Sequence, residues 1–280
     1  MYPVLVQTKL FGLLSTEWTI HTYGVFIAAG FLLALFLASR RAKLEGEDYQ
    51  RFIDLGFYVL LVGFIGGRLL FMVANLPLYI EHPIRLIKIW YGGFVWYGSF
   101  ISAALFIFYY SRKHRIPFFK YADIIIPYMA LAHAIGRIGC FAAGCCYGAP
   151  TQMPWGVSFP IGSLVHQAQQ STGLIKYTDS PLPVHPTQLY ESLVEFALFV
   201  LLIFWRQRKM YEGQLLVVWL LFYGILRAVI EQFRGDNERG VFILSTSQYV
   251  AIIMIAIAII LHSHLQRQQR QVAAMAKSPE

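Results

Sequence analysis

Seven stretches of mostly apolar residues run along the chain, near 20–39, 53–74, 92–111, 119–139, 186–205, 212–231 and 246–265. Each approaches the length of about 20 residues that carries a helix across the ~30 Å hydrocarbon core of a bilayer. The first, with GVFIAAGFLLALFLA, and the last, with YVAIIMIAIAIIL, are the most continuous, and each closes on basic residues. The fourth and fifth are interrupted by polar side chains. The pattern predicts an all-α membrane protein of seven transmembrane helices, forming one integral membrane domain over 1–280. Two connecting segments are long enough to have structure of their own. That at 75–91, with Pro77, Pro83, Trp90 and Tyr91, suits an interfacial piece with aromatics at headgroup depth. That at 140–185 contains GAPTQMPWG and TDSPLPVHP and predicts an ordered, turn-rich cap.

Lysine and arginine give the orientation. Arg40, Arg41, Lys43 and Arg51 follow the first span, and Arg112, Lys113, Arg115 and Lys120 the third. Arg206, Arg208 and Lys209 follow the fifth, and Arg267, Arg270 and Lys277 the seventh. These alternate ends hold 14 of the 23 basic residues. Short cytoplasmic loops keep such an excess, so the N-terminus is expected outside, the C-terminus inside and the cap outside. No basic segment precedes the first apolar run, so a secretory signal peptide is not expected and the N-terminus should be retained.

Composition agrees with this reading. Hydrophobic residues make up 57% and charged residues 14%, against about 45–50% and about 25% in soluble domains. With 22 Phe, 17 Tyr and 6 Trp the chain is also the reverse of a disordered one. The net charge of +8 does not point to nucleic acid, because the basic residues sit at the ends of apolar runs and not on one exposed face.

Ionisable groups inside spans cost roughly 2.5–3.5 kcal/mol each on an insertion scale and usually face the bundle interior. Arg68, Asp123, Arg137, Glu191, Glu195, Arg227, Glu231 and Arg234 are of this kind. Their spacing collects them. His133, Arg137 and Cys140 share one helical face; Gln188, Glu191 and Glu195 share a second; Tyr223, Arg227, Glu231 and Arg234 share a third. Arginines held by carboxylates are what a lipid phosphate requires, since guanidinium is permanently charged and donates in pairs to phosphate oxygens. Structural Arg–Glu pairing between helices is the alternative, and Arg227 with Glu231 allows it within one helix. Glycines flank these residues at Gly66, Gly67, Gly92, Gly93, Gly136, Gly139, Gly144 and Gly148, where close approach of backbones is possible.

Cys140, Cys145 and Cys146 leave several readings open: buried thiols, a disulfide with one thiol left over, or a nucleophile activated by Arg137 or His133. A zinc site is not expected, because no C-x2-C pair or histidine pair at ligand spacing completes four ligands. No metal and no cofactor are expected.

Taken together, GGRLLFMV, GGFVWYGSFI, GRIGCFAAGCCYG, HPTQLYES and YGILRAVIEQFR resemble, in order and spacing, the prolipoprotein diacylglyceryl transferase family, over about Tyr23 to Arg234. The resemblance implies a bacterial inner-membrane enzyme with its active site toward the periplasm. Such an enzyme takes diacylglyceryl from phosphatidylglycerol, attaches it by thioether to the lipobox cysteine of a preprolipoprotein and releases glycerol 1-phosphate. It implies that Arg137 and Arg227 bind phosphatidylglycerol. Tyr223, Gln188, Tyr190, Glu191, Glu231 and Arg234 then belong to the site, with Arg68 at its edge.

Four positions depart from the family pattern. The usual His in the VWYGSF stretch is Tyr97, and two Asn and one Glu of the GRIG-x-F motif are Cys140, Ala143 and Cys145. A tyrosine is in general a poor base at neutral pH, so Tyr97 is expected to orient substrate. A related transferase with another acceptor, using Cys140 or Cys145, is one alternative. A non-catalytic lipid carrier is a second, although no repeated halves support it.

Overall fold

The computed structural model describes residues 4–8, 18–81, 83–86, 93–235, 240–241 and 243–275. Trp90 and Tyr91 of the expected interfacial segment lie outside these. The protein is mostly helical, and six of its helices are long and apolar enough to cross a membrane. Their apolar residues point outward as lipid requires: Leu32, Phe36, Leu69, Val73, Phe204 and Ile260 are all exposed. The chain forms two compact units, Leu35–Tyr121 and Met1–Ala34 with Ala122–Glu280.

In the unit of residues 35–121, the end of α1 (Thr22–Leu44) leads to α2 (Tyr49–Ala74), whose N-terminus is capped by Asp48 accepting from the Gln50 N–H at 3.1 Å. A short helix, α3 (Leu76–Glu81), and a 3₁₀ turn (Pro83–Leu86) follow, where the sequence predicts an interfacial piece. Next comes α4 (Trp96–Lys113), the counterpart of the third expected span. It is not one of the six; its first turn is Trp-Tyr-Gly-Ser, and Tyr109, Tyr110 and Ser111 dilute its end. α2 and α4 meet on small residues. A side chain at Gly66 would strike Ser102, and one at Gly98 would strike the Gly66 carbonyl. Ser102 Oγ bonds across to the Val62 carbonyl at 3.1 Å. Without a hydrophobic drive between helices in lipid, such close backbone contact is what holds them.

In the other unit, an antiparallel pair, β1 (Val4–Thr8) and β2 (Trp18–His21), precedes the start of α1. A second small pair, β3 (Gly240–Val241) and β4 (Leu244–Ser245), precedes the last helix. The expectation of purely helical structure is corrected to that extent: both hairpins sit at the ends of long helices, where the chain reverses. α1 lies against α5 (Phe118–Ala143), a Cβ at Gly30 coming 3.0 Å from the Ala132 carbonyl. α7 (Thr187–Trp205), α8 (Gln214–Glu231) and α9 (Thr246–Met275) complete the bundle. Ile126, Leu202, Leu215 and Val218 form a core shared by α5, α7 and α8.

The cap begins four residues later than expected, because α5 continues to Ala143. It contains α6 (Leu164–Ser171), capped by Ser163, and has its own core of Phe159, Val165 and Val184. Gln169 fastens it by exchanging two hydrogen bonds with the Leu182 backbone, at 3.1 and 2.8 Å.

Asp123, one of the charged residues within a span, has a structural task. Its carboxylate accepts from the Gly213 and Leu215 N–H groups at 2.9 Å each and from Leu216 at 3.3 Å, capping α8 from a distant part of the chain. Pro127 has no N–H to give to the Asp123 carbonyl four residues earlier. Arg206 Nη2 donates to that carbonyl at 3.0 Å instead. Replacing Asp123 by Ala leaves the α8 amides buried and unpaired and should destabilise the protein by about 1–3 kcal/mol. A lowered thermal midpoint in detergent is the expected result; an unchanged one would mean that α8 is capped by other groups.

Candidate active site

The site starts at the junction of α5 with α7. After Pro186 ends the extended segment, Thr187 Oγ1 donates to the Cys146 carbonyl at 2.8 Å and Gln188 Nε2 to the Cys145 carbonyl at 2.7 Å. These two bonds fix the first turn of α7 against the turn that follows α5. Glu191, one helical turn on, is 1% exposed. Its Oε1 lies 2.7 Å from Arg137 Nη2, 3.3 Å from Tyr223 OH and 4.0 Å from Arg227 Nε. One carboxylate of α7 thus gathers groups from α5 and α8. Glu195, a turn further and also fully buried, receives the His133 Nδ1 at 2.6 Å and Trp219 Nε1 at 3.3 Å.

The hydrogen bonds set the state of each partner. Arg137 Nε donates to His133 Nε2 at 3.2 Å, which leaves the ring proton on Nδ1, where Glu195 takes it as a hydrogen bond. Both nitrogens of His133 are therefore committed. Trp219 stacks on Tyr223 with ring centroids 5.1 Å apart and 5° between planes. Arg227 is held again by Glu231 at 2.6 Å and donates to Ser247 Oγ of α9 at 2.7 Å. The in-helix pairing weighed from sequence is present, and so is the convergence on Glu191.

Other expected site residues fall as follows. Arg234 is buried just beyond α8, where its backbone pairs with Gly148. Tyr190 faces away from Glu191: its hydroxyl accepts from Trp155 Nε1 at 2.8 Å and meets His185 Nδ1 at 3.1 Å. Consecutive residues point about 100° apart on a helix, so neighbours in the motif serve different walls. Arg68 and Tyr97 belong to the unit of residues 35–121. There Arg68 is buried, donates from Nη1 to the Gly93 carbonyl at 3.0 Å and lies over the Phe71 and Tyr79 rings. Tyr97, near the start of α4, is 51% exposed.

The three cysteines are free thiols, so the disulfide alternative is set aside for this structure. Their Sγ atoms all lie within 4.8 Å of one another. Hydrogen bonds from Cys140 and then Cys145, aided by the positive charges of Arg234 and Arg137, draw the Cys146 thiol down from its ordinary range. Sequence reasoning did not pair His133 with Glu195 and passed over Trp219. Trp219 stands four residues before Tyr223, so the stripe Tyr223, Arg227, Glu231 extends to it.

Chemically, the arrangement offers two guanidinium groups aimed by a shared carboxylate, Arg137 keeping 17% and Arg227 11% of its side chain exposed. Guanidinium groups so held can donate in pairs to a further anion. Comparison with known proteins agrees with this chemistry. The family model described as prolipoprotein diacylglyceryl transferase matches residues 10–263. A Clostridium tetani protein named phosphatidylglycerol–prolipoprotein diacylglyceryl transferase is 34% identical over 259 residues, covering 92% of this chain and 96% of the relative. A Clostridium perfringens protein of that name, numbered 2, is 30% identical over 92% of this chain and 94% of its own length. The Proteus mirabilis protein of the same name is 34% identical, with 86% of each chain covered.

Replacing Glu191 by Gln removes a buried carboxylate and leaves two half-buried guanidinium groups short of their shared counter-charge. Breaking a buried pair in this way costs about 3–5 kcal/mol. A clear fall of the thermal midpoint in detergent is expected. A midpoint equal to that of the unaltered protein would show that the arginines do not depend on Glu191.

Proposed function

The chain belongs to the prolipoprotein diacylglyceryl transferase family, and from this premise we propose that it moves diacylglyceryl from phosphatidylglycerol to the lipobox cysteine of a preprolipoprotein. The observation that carries this reading is the convergence of Arg137 and Arg227 on Glu191. In the reaction the acceptor sulfur attacks the glyceryl carbon bonded to the phosphate oxygen. A C–S bond forms, the C–O bond breaks, and its electron pair stays on the phosphate, which leaves as glycerol 1-phosphate. Negative charge grows on that oxygen as the bond breaks. Arg137 and Arg227 meet it with donors already oriented by Glu191, so little reorganisation is needed at the moment of reaction.

Tyr223 joins the same carboxylate and, stacked on Trp219, forms a wall of the seat. Glu231 holds Arg227 from the far side, Gln188 fixes the turn beside it, and Arg234 adds a third positive charge near Cys146. We assign Tyr190, with Trp155 and His185, to contact with substrate outside the charged centre. From the resemblance alone, Arg68 and Tyr97 of the other unit are assigned to substrate contact, Tyr97 orienting substrate and not acting as base. The reading places seven spans in one integral domain of the bacterial cytoplasmic membrane. The N-terminus and cap face the periplasm, the basic ends face the cytoplasm, and lipid enters from the bilayer.

The test is mass spectrometry of a lipobox peptide incubated with the purified protein and phosphatidylglycerol, with free glycerol phosphate followed in the same samples. Modified peptide and glycerol phosphate are expected together. Glycerol phosphate without modified peptide would mean another acceptor, and lipid binding without either product a carrier. Arg227→Lys keeps the charge and loses the paired donors, so it should lower turnover about 10²–10³-fold. Tyr97→Phe should cost no more than about tenfold, the worth of one neutral hydrogen bond; unaltered activity would remove Tyr97 from the mechanism.

A further inference from the structure

We propose that Cys140, Cys145 and Cys146 form a three-sulfur site for Zn²⁺ whose fourth position takes the acceptor cysteine of the protein substrate. The turn after α5 is built to bring the sulfurs together. Gly144, at φ 73°, and Cys146, at φ 59°, both lie in the left-handed region. For a residue with a Cβ that conformation costs of order 1–3 kcal/mol and persists only where the surroundings impose it. Here they do: the Cys145 N–H closes the turn on the Cys140 carbonyl at 3.2 Å. Gln188 and Thr187 hold the Cys145 and Cys146 carbonyls from α7. The result is three sulfurs within 4.8 Å of one another, Cys140 buried and the other two half-buried. Zn–S bonds of about 2.3 Å put tetrahedral sulfurs about 3.8 Å apart, so closure on an ion asks for shifts of about 1 Å or less.

The ligand count is informative. Among the described residues no His, Asp or Glu joins the cluster. Closed structural zinc sites have four protein ligands, whereas three leave a place for a reacting group. Resting on the transfer reading above, that group is a thiol which must ionise before it attacks carbon, and a thiol bound to zinc is deprotonated outright. Two candidate acceptors for that proton are replaced or engaged: Tyr97 stands where the resemblance has His, and His133 is hydrogen-bonded at both nitrogens. The location fits. Gln188 links the cysteine turn to the helix that carries Glu191 one turn on, and Arg137 precedes Cys140 by one turn. Gln188 is 1% exposed, yet its Oε1 has no hydrogen-bond partner among the described residues, which leaves an acceptor beside the cluster for an incoming N–H.

The step balances without a redox change. The acceptor S–H gives its proton to water as it binds, the bound sulfur donates its pair to the glyceryl carbon, and the C–O pair leaves on glycerol 1-phosphate. Zinc keeps its charge, and the thioether, a weaker ligand, departs.

The test uses the full chain in detergent with phosphatidylglycerol. Zinc is counted by mass spectrometry and replaced by Co²⁺, whose sulfur charge-transfer and ligand-field bands report ligand type and number. About one metal per chain is expected. Cys146→Ser should lower cobalt affinity by tenfold or more, and Cys145→Ser, at a less buried position, serves if the first does not fold. A lipobox peptide should shift the cobalt bands, and the same peptide with Ser for Cys should not. The site is overturned if the folded protein takes up no metal, if uptake survives both cysteine variants, or if thiol counting finds a disulfide. It is also overturned if metal-free protein transfers lipid at the full rate, a result that leaves the transfer reading intact. Bands that ignore the peptide overturn the acceptor position. Bands that respond, without glycerol phosphate release, uphold the site and fail the transfer reading instead.

Discussion

A carboxylate buried at 1% exposure among apolar helices is tolerable only if other charges come to it, and Glu191 is that carboxylate. Arg137 from α5 and Arg227 and Tyr223 from α8 converge on one of its oxygens. Each partner pays part of the desolvation cost of the others, and none can leave without exposing the rest. The three helices are thereby fixed at one depth by charge, in a solvent where apolar surface gives no preference between lipid and protein. The same constraint leaves charge available at the centre. Two guanidinium groups locked by a single anion still have donor capacity, and a phosphate can share it without moving the helices.

The second carboxylate, Glu195, acts through a different chemistry. It takes a proton donor from His133 and another from Trp219, so it orients neutral rings where Glu191 aligns cations. His133 then supports Arg137 through Nε2. A histidine in a charged stripe invites the role of base, but its protons and lone pairs are already placed. Asp123 shows the third use of a membrane carboxylate. It satisfies the orphan N–H groups of α8, and Arg206 satisfies the carbonyl that Pro127 releases. Three carboxylates of similar burial therefore do three distinct things, and only their partners tell them apart.

That is also why the sequence disclosed some of this and not the rest. The stripes of His133 with Arg137, of Glu191 with Glu195, and of Tyr223 with Arg227 were legible because a helix repeats every 3.6 residues. Spans were legible from apolar length: the fourth and fifth, interrupted by polar residues, are among the six long apolar helices, whereas the third, α4, is not, because its ends are rich in Tyr, Gly and Ser. Partners were not legible, since the choice between Glu191 and Glu195 for a given cation depends on how α5 and α8 are staggered against α7. Tyr190 was read with its motif neighbours, although one residue along a helix turns a side chain to another wall. The cysteines failed for a related reason. Ligand signatures such as C-x2-C describe a regular turn, whereas here two residues at positive φ fold Cys145 and Cys146 back upon Cys140.

The departures from the family pattern form one set when read against this geometry. The resemblance has a proton-accepting His where this chain has Tyr97, and a tyrosine is a poor base at neutral pH. Losing two Asn and one Glu removes polar hydrogen-bonding groups from the turn between α5 and α7. What the chain gains at two of those same positions is sulfur, and the third sulfur follows directly. Three thiols meet within 4.8 Å there, on a turn whose backbone is held by two side chains of the next helix. Meanwhile Arg137 and Arg227, the arginines proposed to seat the donor phosphate, share the carboxylate of Glu191. The donor half of the site and its acceptor half are thus separable in structure: charge pairing across helices holds one, and a strained turn at the end of α5 builds the other. Arg137, which precedes Cys140 on the same helix, Gln188, which holds the Cys145 carbonyl, and Arg234, whose charge acts on Cys146, link the two.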